Sequence, residues 1–212
     1  MMKRQITDIQ VQKKHPSRRS IFLDGRFFCG VSDEVAVKFH LKRGMEIDDD
    51  ELKELLCEEE LSKAKNYVYR ILARRMYTRK EIRDKLVERG YMNEVIQDVI
   101  ATLERYGYLD DRIYAEEWIH SRIRLKPKGK TALRQELARK GIEKSIIEGA
   151  LNQAFDESKE ADMVLNLARQ KVRSYSGDDP STARRKLQGF LLRRGFDFET
   201  VRDAIKQVME EE

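Results

Sequence analysis

T-R-K-E-I-R-D-K-L-V-E-R-G-Y (78–91), K-T-A-L-R-Q-E-L-A-R-K-G-I (130–142) and T-A-R-R-K-L-Q-G-F-L-L-R-R-G-F (182–196) are three copies of one pattern. In each, a Leu stands four residues before a Gly: Leu86/Gly90, Leu137/Gly141 and Leu191/Gly195. An apolar residue stands eight before it (Ile82, Leu133, Leu187), and another follows it directly (Tyr91, Ile142, Phe196). Apolar residues return six and ten positions later, as Ile96/Ile100, Ile147/Leu151 and Val201/Ile205. Spacings of four place side chains on one helical face. The Gly suits the left-handed residue that ends a helix. Each copy therefore reads as a helix, a glycine stop and a second helix.

A third helix is expected before each pair, with faces Tyr67/Ile71, Tyr114/Trp118 and Val164/Ala168. Thr78-x-x-Glu81 has the form of a capping box. Asp179-Pro180 suits the N-cap and first position of the corresponding helix in the third copy. Three three-helix repeats, each packed mainly on its neighbour, predict an elongated, curved, mainly α body.

The chain before the repeats reads differently. Ile6 to Val11 alternates, and S-I-F-L-D-G-R-F-F-C-G-V holds two β-rich runs around Asp24-Gly25, a pair that favours a two-residue hairpin. So small a sheet buries little alone. It is expected to pack on helices near 32–40 and 48–61. The expected organisation is thus an N-terminal β-containing module (1–62) and helical repeats at 63–110, 111–157 and 158–212.

Charge is uneven. Residues 1–62 have 11 basic and 13 acidic side chains, residues 63–150 have 21 and 13, and residues 151–212 have 11 and 12. The excess of cations lies in the middle, the usual footprint of an anionic partner. Arg70, Arg74 and Arg75 cluster before the first pattern. Arg122, Arg124, Lys126, Lys128, Lys130, Arg134, Arg139 and Lys140 run through the second, where Glu136 is the only acid between Arg122 and Lys140. Because no nearby acids balance this run, it is expected to be unneutralised and to contact a filament or DNA. Aromatic residues that would stack on bases are not interleaved there.

Catalytic patterns are not found. Gly129-Lys130-Thr131 resembles the end of a phosphate-binding loop, but Arg124 stands where the first glycine belongs, so a helix start after Pro127 is expected. His15, His40 and His120 have no partner at metal-ligand spacing. Asp48–Glu51 reads as the first turn of a helix, where carboxylates complement the dipole. Trp118 reads as core. No catalytic, cofactor-binding or metal residue is assigned, and the chain reads as a non-enzyme without cofactors. Cys29 and Cys57 read as reduced thiols. No charge-free run exceeds seven residues (149–155), so no membrane span is expected and the cytoplasm is the expected compartment.

Leu72-Ala73-Arg74-Arg75, followed by Thr78, Glu81-Ile82, Leu86 and Gly90, resembles the hallmark stretch of the RecX family of RecA regulators. Gly107-Tyr108-Leu109-Asp110-Asp111 with Tyr114-Ala115 and Trp118 is similar to its second hallmark, continued by Gly129, Leu137, Lys140-Gly141-Ile142 and Ile147. The resemblance covers roughly 63–212, and the β-containing front resembles an extension found in part of the family. Thr78 stands where Ser is common and Tyr114 where Phe is common; the 174–181 loop is longer. The resemblance implies a monomer that binds the RecA filament on single-stranded DNA, with weak direct DNA binding as a further expectation. It further implies restraint of filament extension, ATP hydrolysis, strand exchange and co-protease activity in DNA repair and the SOS response. The alternatives are a nucleic-acid-binding module whose repeats act as helix-turn-helix readers, and a plain scaffold.

Overall fold

The structure, a computed structural model, describes residues 3–155 and 157–211, without the side chains of 157 and 158. The outermost residues of the expected N-terminal module and third repeat (1, 2 and 212) lie outside the described residues. The chain forms two compact units, Met1–Arg75 with Ile82–Tyr108, and Met76–Glu81 with Leu109–Glu212.

The first unit begins with β1 (Lys3–Gln12), β2 (His15–Leu23) and β3 (Arg26–Ser32), then α1 (Asp33–Lys38) and β4 (Glu46–Asp48). All strand pairs are antiparallel, in the order β3-β2-β1-β4. The expected hairpin turn is present: Asp24 and Gly25 have φ of 48° and 81°, the paired positive values of a tight two-residue turn. One face of the sheet contributes Ile6, Ile21, Leu23, Val31 and Ile47 to a core closed by Val35 and Ala36 of α1 and by Leu52 and Leu55 of α2 (Asp49–Leu72). The sheet is therefore covered by the helices that follow it, as its size requires.

A single buried carboxylate ties these layers. Glu59 of α2 accepts the Ser32 backbone N–H at 2.7 Å and an Arg18 N–H at 2.7 Å, with Lys63 at 3.5 Å. A buried charge persists only where paired and hydrogen-bonded, which this one is.

The sequence reading expects separate helices on either side of residue 62. Instead α2 runs unbroken for 24 residues. S-K-A-K (62–65) offers neither Gly nor Pro, so nothing interrupts the backbone ladder. The buried face of its second half is Ala64 and Val68, whereas Tyr67 and Ile71 are only half-buried. The expected face is displaced because the helix is already oriented by its contacts with the sheet.

The repeat helices follow as α3 (Arg79–Glu88) and α4 (Asn93–Arg105), then α5 (Asp111–Leu125), α6 (Lys130–Arg139) and α7 (Lys144–Ala154), then α8 (Glu157–Val172), α9 (Pro180–Arg193) and α10 (Phe198–Glu210). The fold is thus mainly α, three three-helix repeats behind a small sheet. Leu86, Leu137 and Leu191 are fully buried, as are Ile82, Leu133 and Leu187. Gly90, Gly141 and Gly195 have φ of 80°, 80° and 84°. After α3 and α6, the N–H groups of Gly90 and Tyr91, and of Gly141 and Ile142, turn back to carbonyls of the last helical turn. These closures are Schellman motifs, which only the left-handed glycine permits at low cost. The capping box is present: Thr78 Oγ1 accepts the Glu81 N–H, and Glu81 accepts the Thr78 N–H, each at 3.2 Å. Asp179 caps α9 with Pro180 at its first position.

Candidate macromolecular interface

The middle helices of successive repeats meet end to end. In the second unit, the Gly129 N–H donates to the Arg194 carbonyl at 2.9 Å and the Thr131 N–H to the Gly195 carbonyl at 3.2 Å. The first N–H groups of α6, which have no partner within their own helix, are thereby satisfied by carbonyls just beyond α9. Positive and negative ends of two helix dipoles are also brought together. The start of α3 also meets the end of α6, here through a side chain: Thr78 Oγ1 donates to the Lys140 carbonyl at 2.8 Å. Gly141 and Gly195 pack so closely that a Cβ would collide with Lys80 at the first joint and with the backbone of Ala132 at the second.

One basic position recurs before the three stop glycines. Arg89, Lys140 and Arg194 each precede the stop glycine and each lie over an aromatic ring. Arg89 is 3.8 Å from the centroid of Tyr67, Lys140 is 4.4 Å from that of Trp118, and Arg194 is 4.7 Å from that of Phe190. Lys140 also donates to Glu81 at 3.0 Å, and Arg194 to the Pro127 carbonyl at 3.0 Å. Burial disfavours the Lys140 ammonium, but hydrogen bonds with Tyr114 and Glu81 outweigh it and hold its pKa above the usual lysine value.

The basic run of the second repeat is largely neutralised, contrary to expectation. Arg122 donates to Glu136 at 3.1 Å, and Lys128 pairs with the same carboxylate. Lys130 pairs with Glu160 at 3.1 Å, and Arg134 grips Glu148 with two bonds of 2.6 and 2.9 Å. Except for Glu136, the balancing acids come from other helices, outside the run. Glu136 also accepts the Trp118 indole N–H at 2.9 Å. Burial raises its pKa, but the bonds from Lys128, Trp118 and Arg122 prevail and leave it below the ordinary glutamate value. Trp118 is consequently half-buried at the rim of the core.

Five of the expected contact residues are exposed and have no carboxylate partner among the described residues: Arg70, Arg74, Arg124, Lys126 and Arg139. Arg70 and Arg139 bond only to carbonyls of their own helices. Arg75 is exposed as well. The structure therefore divides one basic stretch into cations paired with carboxylates, within the repeat or, for Lys130 and Lys140, beyond it, and cations that face solvent. A third group was given no contact role by the sequence: Tyr106 and Tyr108 flank Gly107 and are largely exposed. Two aromatic residues around a turn glycine were the available signal.

Among the described residues, no helix is long and apolar enough to cross a membrane.

Family comparison matches residues 4–48 to the regulatory protein RecX N-terminal domain, and residues 64–103, 110–151 and 158–205 to the first, second and third three-helix domains of RecX. The regulatory protein RecX of Clostridium botulinum (strain Alaska E43 / Type E3) is 32% identical over 206 residues, covering 96% of each chain. That of Clostridium tetani (strain Massachusetts / E88) is 32% identical, covering 96% of this chain and 94% of its own. A crystal structure of regulatory protein RecX superposes with a TM-score of 0.77 at 27% identity, covering 99% of this chain and all of that one. With one domain model for the sheet and one for each repeat, and a relative aligned along nearly its full length, this chain belongs to the RecX family of regulatory proteins.

Proposed function

We propose that this chain binds the RecA filament on single-stranded DNA and restrains its extension, ATP hydrolysis, strand exchange and co-protease activity. It would act in the cytoplasm, during DNA repair and the SOS response, without catalysis of its own. The observation that carries this reading is the separation of cations within one repeat. Lys128, Lys130, Arg134 and Lys140 are consumed by intramolecular pairs, whereas Arg124, Lys126 and Arg139 are exposed without a carboxylate partner. Exposed cations on a fixed frame attract phosphates or an acidic protein surface without first breaking internal pairs. Joints closed on backbone carbonyls, by N–H groups at Gly129 and Thr131 and by the Thr78 hydroxyl, hold the second unit, so several weak contacts can act together on a repeating target.

The test is RecA-dependent ATP hydrolysis on single-stranded DNA, with RecA from the same organism. Substoichiometric protein should slow it, because blocking extension does not require coating every protomer. Unchanged hydrolysis at equimolar protein defeats the proposal. Tight binding to naked duplex with none to a preformed filament would favour the helix-turn-helix reading.

A further inference from the structure

We propose that Tyr106 and Tyr108, backed by Tyr69, form a stacking platform for unpaired nucleobases of single-stranded DNA, with the exposed Arg74 and Arg105, which follow α2 and end α4, to receive the phosphates. This deepens the reading of a regulator acting on filaments formed on single strands, and it is tested without RecA.

The platform lies wholly in the first unit. Helix α4 ends at Arg105, and the chain turns through Tyr106 and Gly107, whose φ is 71°. The turn is closed by bonds from the N–H groups of Tyr106, Gly107 and Tyr108 to Thr102, Glu104 and Leu103. Two tyrosines are thus held on a short, hydrogen-bonded corner. Tyr108 meets Tyr69 of α2 edge to face, with centroids 5.5 Å apart. The Tyr69 phenol titrates above its ordinary value, chiefly through burial and then through the nearness of Tyr108, Tyr106 and Glu34. Tyr69 and Tyr108 are in ring contact, and Tyr106 stands on the same turn, across Gly107 from Tyr108.

These rings do not serve the core. Tyr106 is 66% exposed, Tyr108 59% and Tyr69 36%. An aromatic ring left in water forfeits most of the burial for which such residues are retained. A rigid ring with a wet hydroxyl edge instead offers a flat face to any base, whatever its identity. The nearby charge fits the same ligand. Arg105 precedes Tyr106 directly, and Arg74 follows the end of α2, five residues after Tyr69. Both are exposed and lack a carboxylate partner among the described residues. Of the acids near the turn, Asp110 is occupied in capping α5 through the Arg112 and Ile113 N–H groups. Glu34 is a charge of the wrong sign for phosphate that acts on Tyr69, and Glu104 precedes Arg105 in the chain.

The experiment compares two labelled oligomers of equal length, oligothymidylate and its abasic counterpart, by fluorescence anisotropy with the full chain. Phosphate binding is common to both, so a difference reports the bases. The parent should bind oligothymidylate about ten-fold more tightly, the range expected for stacking on one or two rings. The Y106A/Y108A double variant should bind both oligomers equally, with affinity for the abasic strand and melting temperature unchanged. Y106W should keep or increase the preference. Equal binding of the two oligomers by the parent, or a preference that survives in Y106A/Y108A, overturns the proposal. Loss of RecA inhibition in the double variant with the base preference intact also overturns it, because the tyrosines then serve a protein partner. A parent that prefers bases but does not affect RecA would leave this inference standing while the proposed function fails.

Discussion

The backbone N–H of Gly129 donates to the carbonyl of Arg194, so the start of α6 rests on the turn that ends α9. Gly195, the next residue, faces the backbone of Ala132. Gly90 has the same positive φ but open space around it. Gly90→Ala should therefore cost about 1–2 kcal/mol, the penalty for a left-handed L-residue. Gly195→Ala adds a collision with main chain and should cost about 1–3 kcal/mol more. Urea denaturation measures both, and equal losses would show that the joint yields freely.

Leu86 and Leu137 are completely buried, each in its own repeat. Truncation to Ala should destabilise by about 2–5 kcal/mol at either site, through lost transfer energy and the cavity left behind. A loss below about 0.5 kcal/mol would contradict their burial.

Trp118 is the only tryptophan, and its indole donates to Glu136. Its fluorescence should report protonation of that carboxylate. Since the Glu136 pKa is lowered by folding, its stabilising contribution is complete above the ordinary glutamate range. It is lost as pH falls through the lower native value. The fluorescence step should lie below the ordinary glutamate pKa and vanish in Glu136→Gln. That variant should also lose about 1–3 kcal/mol at neutral pH, since three donors lose a charged acceptor. A step at the ordinary value would show that Glu136 gains nothing from its partners.

Changing Arg124, Lys126 and Arg139 together to Ala should leave melting nearly unchanged, because exposed cations without partners contribute little to stability. Filament binding should fall about ten-fold, roughly 1.4 kcal/mol, with a shallower salt dependence. Lys140→Ala should instead destabilise the fold, since it breaks the pair with Glu81 and uncovers Trp118. A triple variant that inhibits RecA as well as the parent would move attention to Arg70, Arg74 and Arg75.

Local periodicity was enough to mark the repeats. Leu86, Leu137 and Leu191 recur at a fixed distance before glycines whose backbone conformation follows from the absence of a Cβ, and these are short-range properties. The Asp24-Gly25 turn and the caps at Thr78 and Asp179 are equally local. What lay beyond the sequence was pairing across distance. Glu81, Glu148 and Glu160 lie outside the basic run that they neutralise, because helix ends and faces far apart in the chain are brought together only by packing. The same limit hid the buried face of α2, which is set by its contact with the sheet, and the meeting of Tyr69 with Tyr108. The continuity of α2 was itself local, since 62–65 holds neither Gly nor Pro. Residue spacing determines which face of a helix is apolar. Which charge meets which is decided by how the helices are placed against one another.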